Sequence, residues 1–230
     1  VLAELGIDNI EAYVVPFGSL IPGLQAGQYD LIAAGMFINA ERASQIIFSD
    51  PDYCVSEAFA VPEGNPMNIS DYQSIIDSGA LLAMVPGTVE VGYAEMAGVP
   101  DDQLVQFGTI EEQYPALENG RVDVVPGTRL TVEERVETMD GFEATEPFFP
   151  LDEDGNEILG CGGYGFLDQG FRDAFNEVLA EKQADGTVTE ILVEFGFTEE
   201  EAELAMEQTV EGIIGGGDAE EAPAGSEADG

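Results

Sequence analysis

The chain reads as an α/β protein folded into two lobes, each a mostly parallel sheet flanked by helices, on three observations. Short apolar runs alternate with amphipathic stretches, which is the pattern of βαβ units. The alternation occurs in two blocks, residues 10–50 and 80–145. Two links rich in Gly or Pro, Pro62–Pro66 and Asp152–Gly165, let the chain cross from one block to the other and return. That organisation predicts a ligand cleft between the lobes, at the carboxyl ends of strands.

In chain order, Ala12–Val15 reads as a strand and Gly18–Gln25 as a helix closed by Gly27. Asp30–Ala34 is an apolar strand, and Asn39 is placed to cap a helix over Ala40–Gln45. Phe59–Val61 is extended. Ser70 opens a helix over Asp71–Ile76. Leu81–Val85 reads as a buried strand, and Gly87-Thr88 starts a helix reaching Met96. Leu104–Phe107 is a strand, Thr109–Glu118 a helix ended by Asn119-Gly120, Val122–Val125 a strand and Leu130–Met139 a helix. After the strand Tyr164–Phe166 comes a long helix, Asp168–Gln183, with Phe171, Phe175, Val178 and Leu179 on one face. Thr187–Phe195 is a further helix.

The 47 Asp and Glu against 6 Lys and Arg, with no His, give a formal net charge of -41 over 230 residues. Such self-repulsion disfavours a compact state in dilute buffer. In molar salt the Debye length falls to about 3 Å, so the composition suits a halophile. Nucleic acids and anionic membranes are excluded as partners, because both require basic patches. Apolar residues make up 44%, with 13 Phe and 7 Tyr, enough to bury a sizeable core. No apolar stretch is long enough for a transmembrane helix. The chain opens at Val1 inside a helical stretch, as a mature or truncated end does, and Gly215–Gly230 reads as a disordered acidic tail. Two cysteines without histidine disfavour a metal site, and no cofactor motif is present. Cys54 and Cys161 fit either a disulfide or two buried thiols.

Arg42 is the only cation in the first 120 residues. A chain that has discarded nearly every other positive charge keeps one beside Gly35-Met-Phe-Ile-Asn-Ala-Glu41. A guanidinium fork matches a carboxylate with two parallel hydrogen bonds, so Arg42 is the candidate ligand clamp. The plain alternative is a surface pair with Glu41 or Asp50.

Leu24-Gln-Ala-Gly27-Gln-Tyr-Asp30, followed by Arg42 and by Phe48-Ser-Asp-Pro-Asp-Tyr53, resembles the signature of bacterial extracellular solute-binding proteins that serve ABC transporters. Further matching pieces are Val85-Pro-Gly-Thr-Val-Glu90, Leu117-Glu-Asn-Gly-Arg-Val-Asp123 and Gly163-Tyr-Gly-Phe166. The resemblance covers residues 1 to about 210. It implies a periplasmic-binding-protein-like fold with lobe one at 1–57 and 165–212, lobe two at 58–164, and a tail at 213–230. It also implies that lobe one's first strand is missing from this chain. The family's roles put Arg42 on the ligand carboxylate, with Gly87 and Thr88 at a helix start binding the same group. The acid that usually holds an α-ammonium is replaced here by Thr128. Phe17 and Phe37 then read as aromatic walls for a shielded cation.

Within the family the chain is most similar to ectoine/hydroxyectoine-binding proteins, through Ile21–Gly27, Phe37 with Arg42, Ser56–Ala60, Gly64–Pro66, Ala97–Pro100 and both cysteines. Phe17 departs from the expected Tyr. The resemblance implies a non-enzymatic, extracytoplasmic, monomeric protein, periplasmic or a cell-surface lipoprotein. It would deliver a zwitterion to membrane permease subunits, with no cofactor, metal or nucleic acid. The alternatives are a polar amino-acid binder, a dehydratase-type enzyme and a receptor sensor domain on the same fold.

Overall fold

A computed structural model describes residues 1–152 and 154–215 of the protein. The first sheet gathers β1 (Ile32–Phe37), β2 (Ile47–Phe48) and β3 (Tyr53–Val55) around β9 (Gly160–Phe166). The second lobe holds β4 (Glu57–Pro62) between β7 (Val125–Thr128) and β8 (Phe142–Ala144), with β5 (Leu82–Met84) beside β6 (Leu104–Gln106). A parallel bridge between Leu82 and Val124 joins the last pair to the approach to β7.

The pairing directions differ from the expected mostly parallel sheets. β9 runs antiparallel to β1, β2 and β3, and β4 runs antiparallel to β7 and β8; β5 and β6 are parallel. The cause is the crossing between lobes. The outgoing strands β3 and β4 are successive, separated by Ser56 alone, and the returning chain enters β9 against β3. Pro62–Pro66 is therefore a turn at the end of β4, where the Asn65 amide bonds the Pro62 carbonyl, and not the crossing itself.

Strand β4 shows why the second lobe is layered. Successive side chains of a strand point to opposite faces. Phe59 and Val61 enter one core with Tyr72, Ile75, Tyr93 and Ala94, on helices α3 (Tyr72–Ser78) and α4 (Val89–Ala97). Ala58 and Ala60 enter another with Tyr114, Leu117 and Val132, on α5 (Gln113–Glu118) and α6 (Arg129–Val136). A strand buried on both faces must be apolar throughout, apart from Glu57 at its start.

In the first lobe, α1 (Leu20–Gln25), α2 (Ala40–Ala43) and α10 (Val210–Ile214) pack around β1 and β2. α7 (Gln169–Ala184) buries Phe175 and Leu179 against Phe166. Between α7 and α10 come α8 (Thr187–Glu194) and α9 (Glu199–Met206). Helix α3 is capped by Asp71, one residue later than expected, because Asp71 and Ser74 form a reciprocal capping box. Helices α9 and α10 add to the elements the sequence predicts. The tail expected from 213 lies outside the described residues from 216 on, and Ile213 and Ile214 belong to α10.

The expected strand at Ala12–Val15 does not form. Residues 7–16 carry no regular structure, and Ile10, Tyr13 and Val14 are exposed. An extended segment gains little without a neighbouring strand to pair with. Cys54 and Cys161 form a disulfide across β3 and β9, linking positions 107 residues apart and resolving the choice left by the sequence.

A candidate ligand cavity around Arg42

Asn39 accepts the Arg42 amide at 2.9 Å and so caps α2. That cap holds the side chain of Arg42 inward, where it is 6% exposed. Its Nη1 donates to the Phe37 carbonyl at 2.7 Å, and its Nη2 donates to the Gly87 carbonyl at 2.8 Å. One acceptor lies in each lobe. The guanidinium carbon sits 5.5 Å from the centre of the Phe17 ring. No described carboxylate pairs with it, so neither Glu41 nor Asp50 is its partner. A guanidinium has five N–H donors, and these two bonds leave three.

Two glycines let the lobes meet here. Gly87 has φ +90°, and a Cβ on it would lie 2.9 Å from Cα of Gly18. The ring of Phe37 lies where a Cβ on Gly160 would be, so a glycine in β9 seats that aromatic.

Phe17, Phe37, Arg42, Thr88 and Thr128 line one cavity of about 180 Å³. Gly87 stands at its edge, contributing a carbonyl to Arg42 and no cavity surface. The Thr88 hydroxyl donates to the Val85 carbonyl at 3.1 Å and makes no cap bond to α4. The first amides of that helix have no intrahelical acceptor, and they lie at the positive end of its dipole. Thr128 spends its hydroxyl on α6, donating to Thr131 Oγ1 at 2.9 Å and accepting the Thr131 amide at 3.4 Å.

The cavity also contains an acid, which corrects the expectation of a site without one. Glu90, in the first turn of α4, lines it, as do Gln113 and Tyr114 of α5 and Thr131 of α6. Thr128 does end β7 and cap α6; the carboxylate arrives from α4 instead. The signal was weak. A first-turn acid is the ordinary complement of a helix dipole, and Glu90 is one of 47 acids. Burial lowers the pKa of Arg42 from its usual range, and Glu90 is the leading charge opposing that shift. Glu57 is 1% exposed with both carboxylate oxygens unpartnered. Burial first, and then Glu90, push its pKa well above the usual carboxylate range.

A second cavity, of about 210 Å³, lies between β1, the chain before β3, and Phe197. Its acid is Asp52, whose pKa burial raises to about 6 against an opposing hydrogen bond from Tyr164. Among the described residues there is no cluster suited to a metal ion, and no helix long and apolar enough to cross a membrane.

A family model for bacterial extracellular solute-binding proteins, family 3, matches residues 1–198. The chain belongs to that family. It is the solute-binding component of an ABC importer, on the two-lobed α/β fold that the alternating elements predicted. A probable amino-acid ABC transporter periplasmic-binding protein of Sinorhizobium fredii is 31% identical over 213 residues, covering 91% of this chain and 71% of that one. The histidine-binding periplasmic protein of Escherichia coli is 26% identical over 187 residues, covering 75% and 66%. Among solved structures, EhuB in complex with hydroxyectoine superposes with a TM-score of 0.80 at 32% identity, covering 92% of this chain and 80% of that one.

Proposed function

We propose that this protein captures a zwitterionic compatible solute, ectoine or hydroxyectoine, between its lobes, with Arg42 clamping the carboxylate. The carrying observation is Arg42 itself. It is buried in the cavity, bonded to one carbonyl from each lobe, and unpaired with any described carboxylate in a chain of 47 acids. Neutral carbonyls leave its charge uncompensated, and a ligand carboxylate would compensate it. Phe17 and Phe37 supply aromatic wall, and Thr88, Thr128 and the amides at the start of α4 supply polar contacts. The guanidinium already lies over the Phe17 ring, so this aromatic contacts the clamp as well as walling the site. The hydroxyectoine complex of the 32%-identical EhuB supports the choice of solute.

Several features belong to the same proposal. The lobes are residues 1–57 with 165–212, and residues 58–164. The protein acts as an extracytoplasmic monomer of a salt-adapted cell, hands its solute to membrane permease subunits, and binds without turnover. A polar amino acid is the second reading, favoured by the names of the curated relatives and by the carboxylate of Glu90.

Calorimetric titration in molar NaCl with ectoine, hydroxyectoine, glycine betaine, glutamine and arginine tests this. Binding of an ectoine in preference to the amino acids is expected. Tight binding of an amino acid with no heat from either ectoine would overturn the solute, leaving the family role intact.

A further inference from the structure

Four of the described residues carry buried side-chain polar atoms that lack hydrogen-bond partners. Among the described residues they are both carboxylate oxygens of Glu57, Oε2 of Glu90, and the hydroxyls of Tyr72 and Tyr114. Glu90 is electrostatically coupled to all the others. Native interiors leave few such groups unpaired, because each costs about the free energy of a lost hydrogen bond. Two of these residues, Glu90 and Tyr114, line the cavity that holds Arg42. Tyr114 is 6% exposed, so its free hydroxyl belongs to a side chain that is otherwise packed away. The cavity thus holds a cation with spare donors and, on α4 and α5, oxygens with spare acceptor capacity.

Resting on the reading of this cavity as the solute site, we propose that Glu90 and Tyr114 receive the cationic end of the ligand, and that this cation carries N–H donors. Fully alkylated ammonium groups offer only C–H and would leave the same oxygens unpaired. A buried carboxylate oxygen left unpaired, as Oε2 of Glu90 is, is costly, and the penalty discriminates between a ligand with the matching donor and one without it. A cyclic amidinium, as in ectoine, or a primary ammonium meets the requirement; a trimethylammonium does not. Glu57 is not part of the cavity lining, and burial together with the charge of Glu90 raises its pKa well above the usual carboxylate range.

The test titrates the full chain with ectoine, glutamine and glycine betaine, for the unsubstituted protein, Glu90→Gln, Tyr114→Phe and Arg42→Ala. The unsubstituted protein should prefer an N–H-bearing zwitterion to glycine betaine by about tenfold or more. Glu90→Gln, nearly the same shape, should weaken that ligand at least about tenfold while leaving the weak betaine binding unchanged. Tyr114→Phe should weaken it severalfold. The inference is overturned if betaine binds as well as ectoine and glutamine, or if Glu90→Gln binds unchanged while Arg42→Ala does not. If glutamine titrates and ectoine does not, the proposed solute falls, and the Glu90 comparison, read with glutamine, still decides this inference. A protein that binds none of the three overturns both.

Discussion

Arg42 and Arg129 are both sheltered cations in a strongly acidic chain, and both bridge elements from different parts of the fold. Arg129 opens α6 and reaches α9, where Glu201 takes it bidentately at 3.0 and 2.8 Å from Nη2; Glu133 takes Nη1 at 2.7 Å. Its amide bonds the carbonyl of Ser56, at the point where β3 passes into β4. Arg42 reaches as far but ends on two neutral carbonyls. The difference separates a fastening from a receptor. Carboxylates neutralise Arg129 permanently and tie the crossing point. Backbone carbonyls orient Arg42 without cancelling its charge, which is what a site for an anionic group requires.

The largest effect should come from breaking that contrast at its centre. Arg42→Ala should weaken solute binding by up to about 100-fold, the worth of a charge-assisted bidentate pair, whereas Arg129→Ala should change affinity by less than about threefold. Calorimetry on both variants decides it; equal losses would erase the distinction.

Asp52 sharpens the contrast, because it is a half-buried acid that no described cation pairs with. Its folded pKa of about 6 lies above the ordinary value of 3.8, so the folded state holds this proton more tightly than the unfolded chain does. That contribution to stability is present in full below about pH 4 and is lost as pH rises through 6. At pH 8, Asp52→Asn should therefore be stabilised by about 1–3 kcal/mol, a rise in Tm of several degrees. The advantage should vanish near pH 4. Melting curves of both proteins across pH isolate this group from the repulsion common to both.

Arg129→Ala should lower stability by about 1–2 kcal/mol, since the pair is sheltered but not dry, and should lower Tm by a few degrees. A drop in affinity without a drop in Tm would place Arg129 with Arg42 after all.

The smallest effect concerns salt. Between 0.1 and 1 M the Debye length shrinks from about 10 to about 3 Å, yet a contact made inside the closed cavity is little screened. Solute affinity should change by less than about tenfold while Tm rises as carboxylate repulsion fades. A steep loss of affinity with NaCl would mean that the Arg42 contact forms in open water.

Much of this molecule is determined locally. The alternation of short apolar runs with capped helices carries the α/β class. Asn39 caps α2 where the sequence has it, and the glycine before Thr88 starts α4. Arg42 stood out because so few other cations exist. These readings succeed because a period, a cap or a rare residue acts over a few neighbouring positions.

What the tertiary structure decided acts across long separations. The pairing of Cys54 with Cys161, the antiparallel entry of β9 against β1, β2 and β3, and the failure of 12–15 to become a strand all depend on which distant segment lies alongside. The same holds for the site. Phe17, Phe37, Arg42, Thr88 and Thr128 were legible as candidates, but Glu90 was one acid among 47 until the fold placed it in the same cavity as Arg42. Sequence lists which side chains are charged. Only packing decides which of them lose their water, and a desolvated charge is the one that selects a ligand.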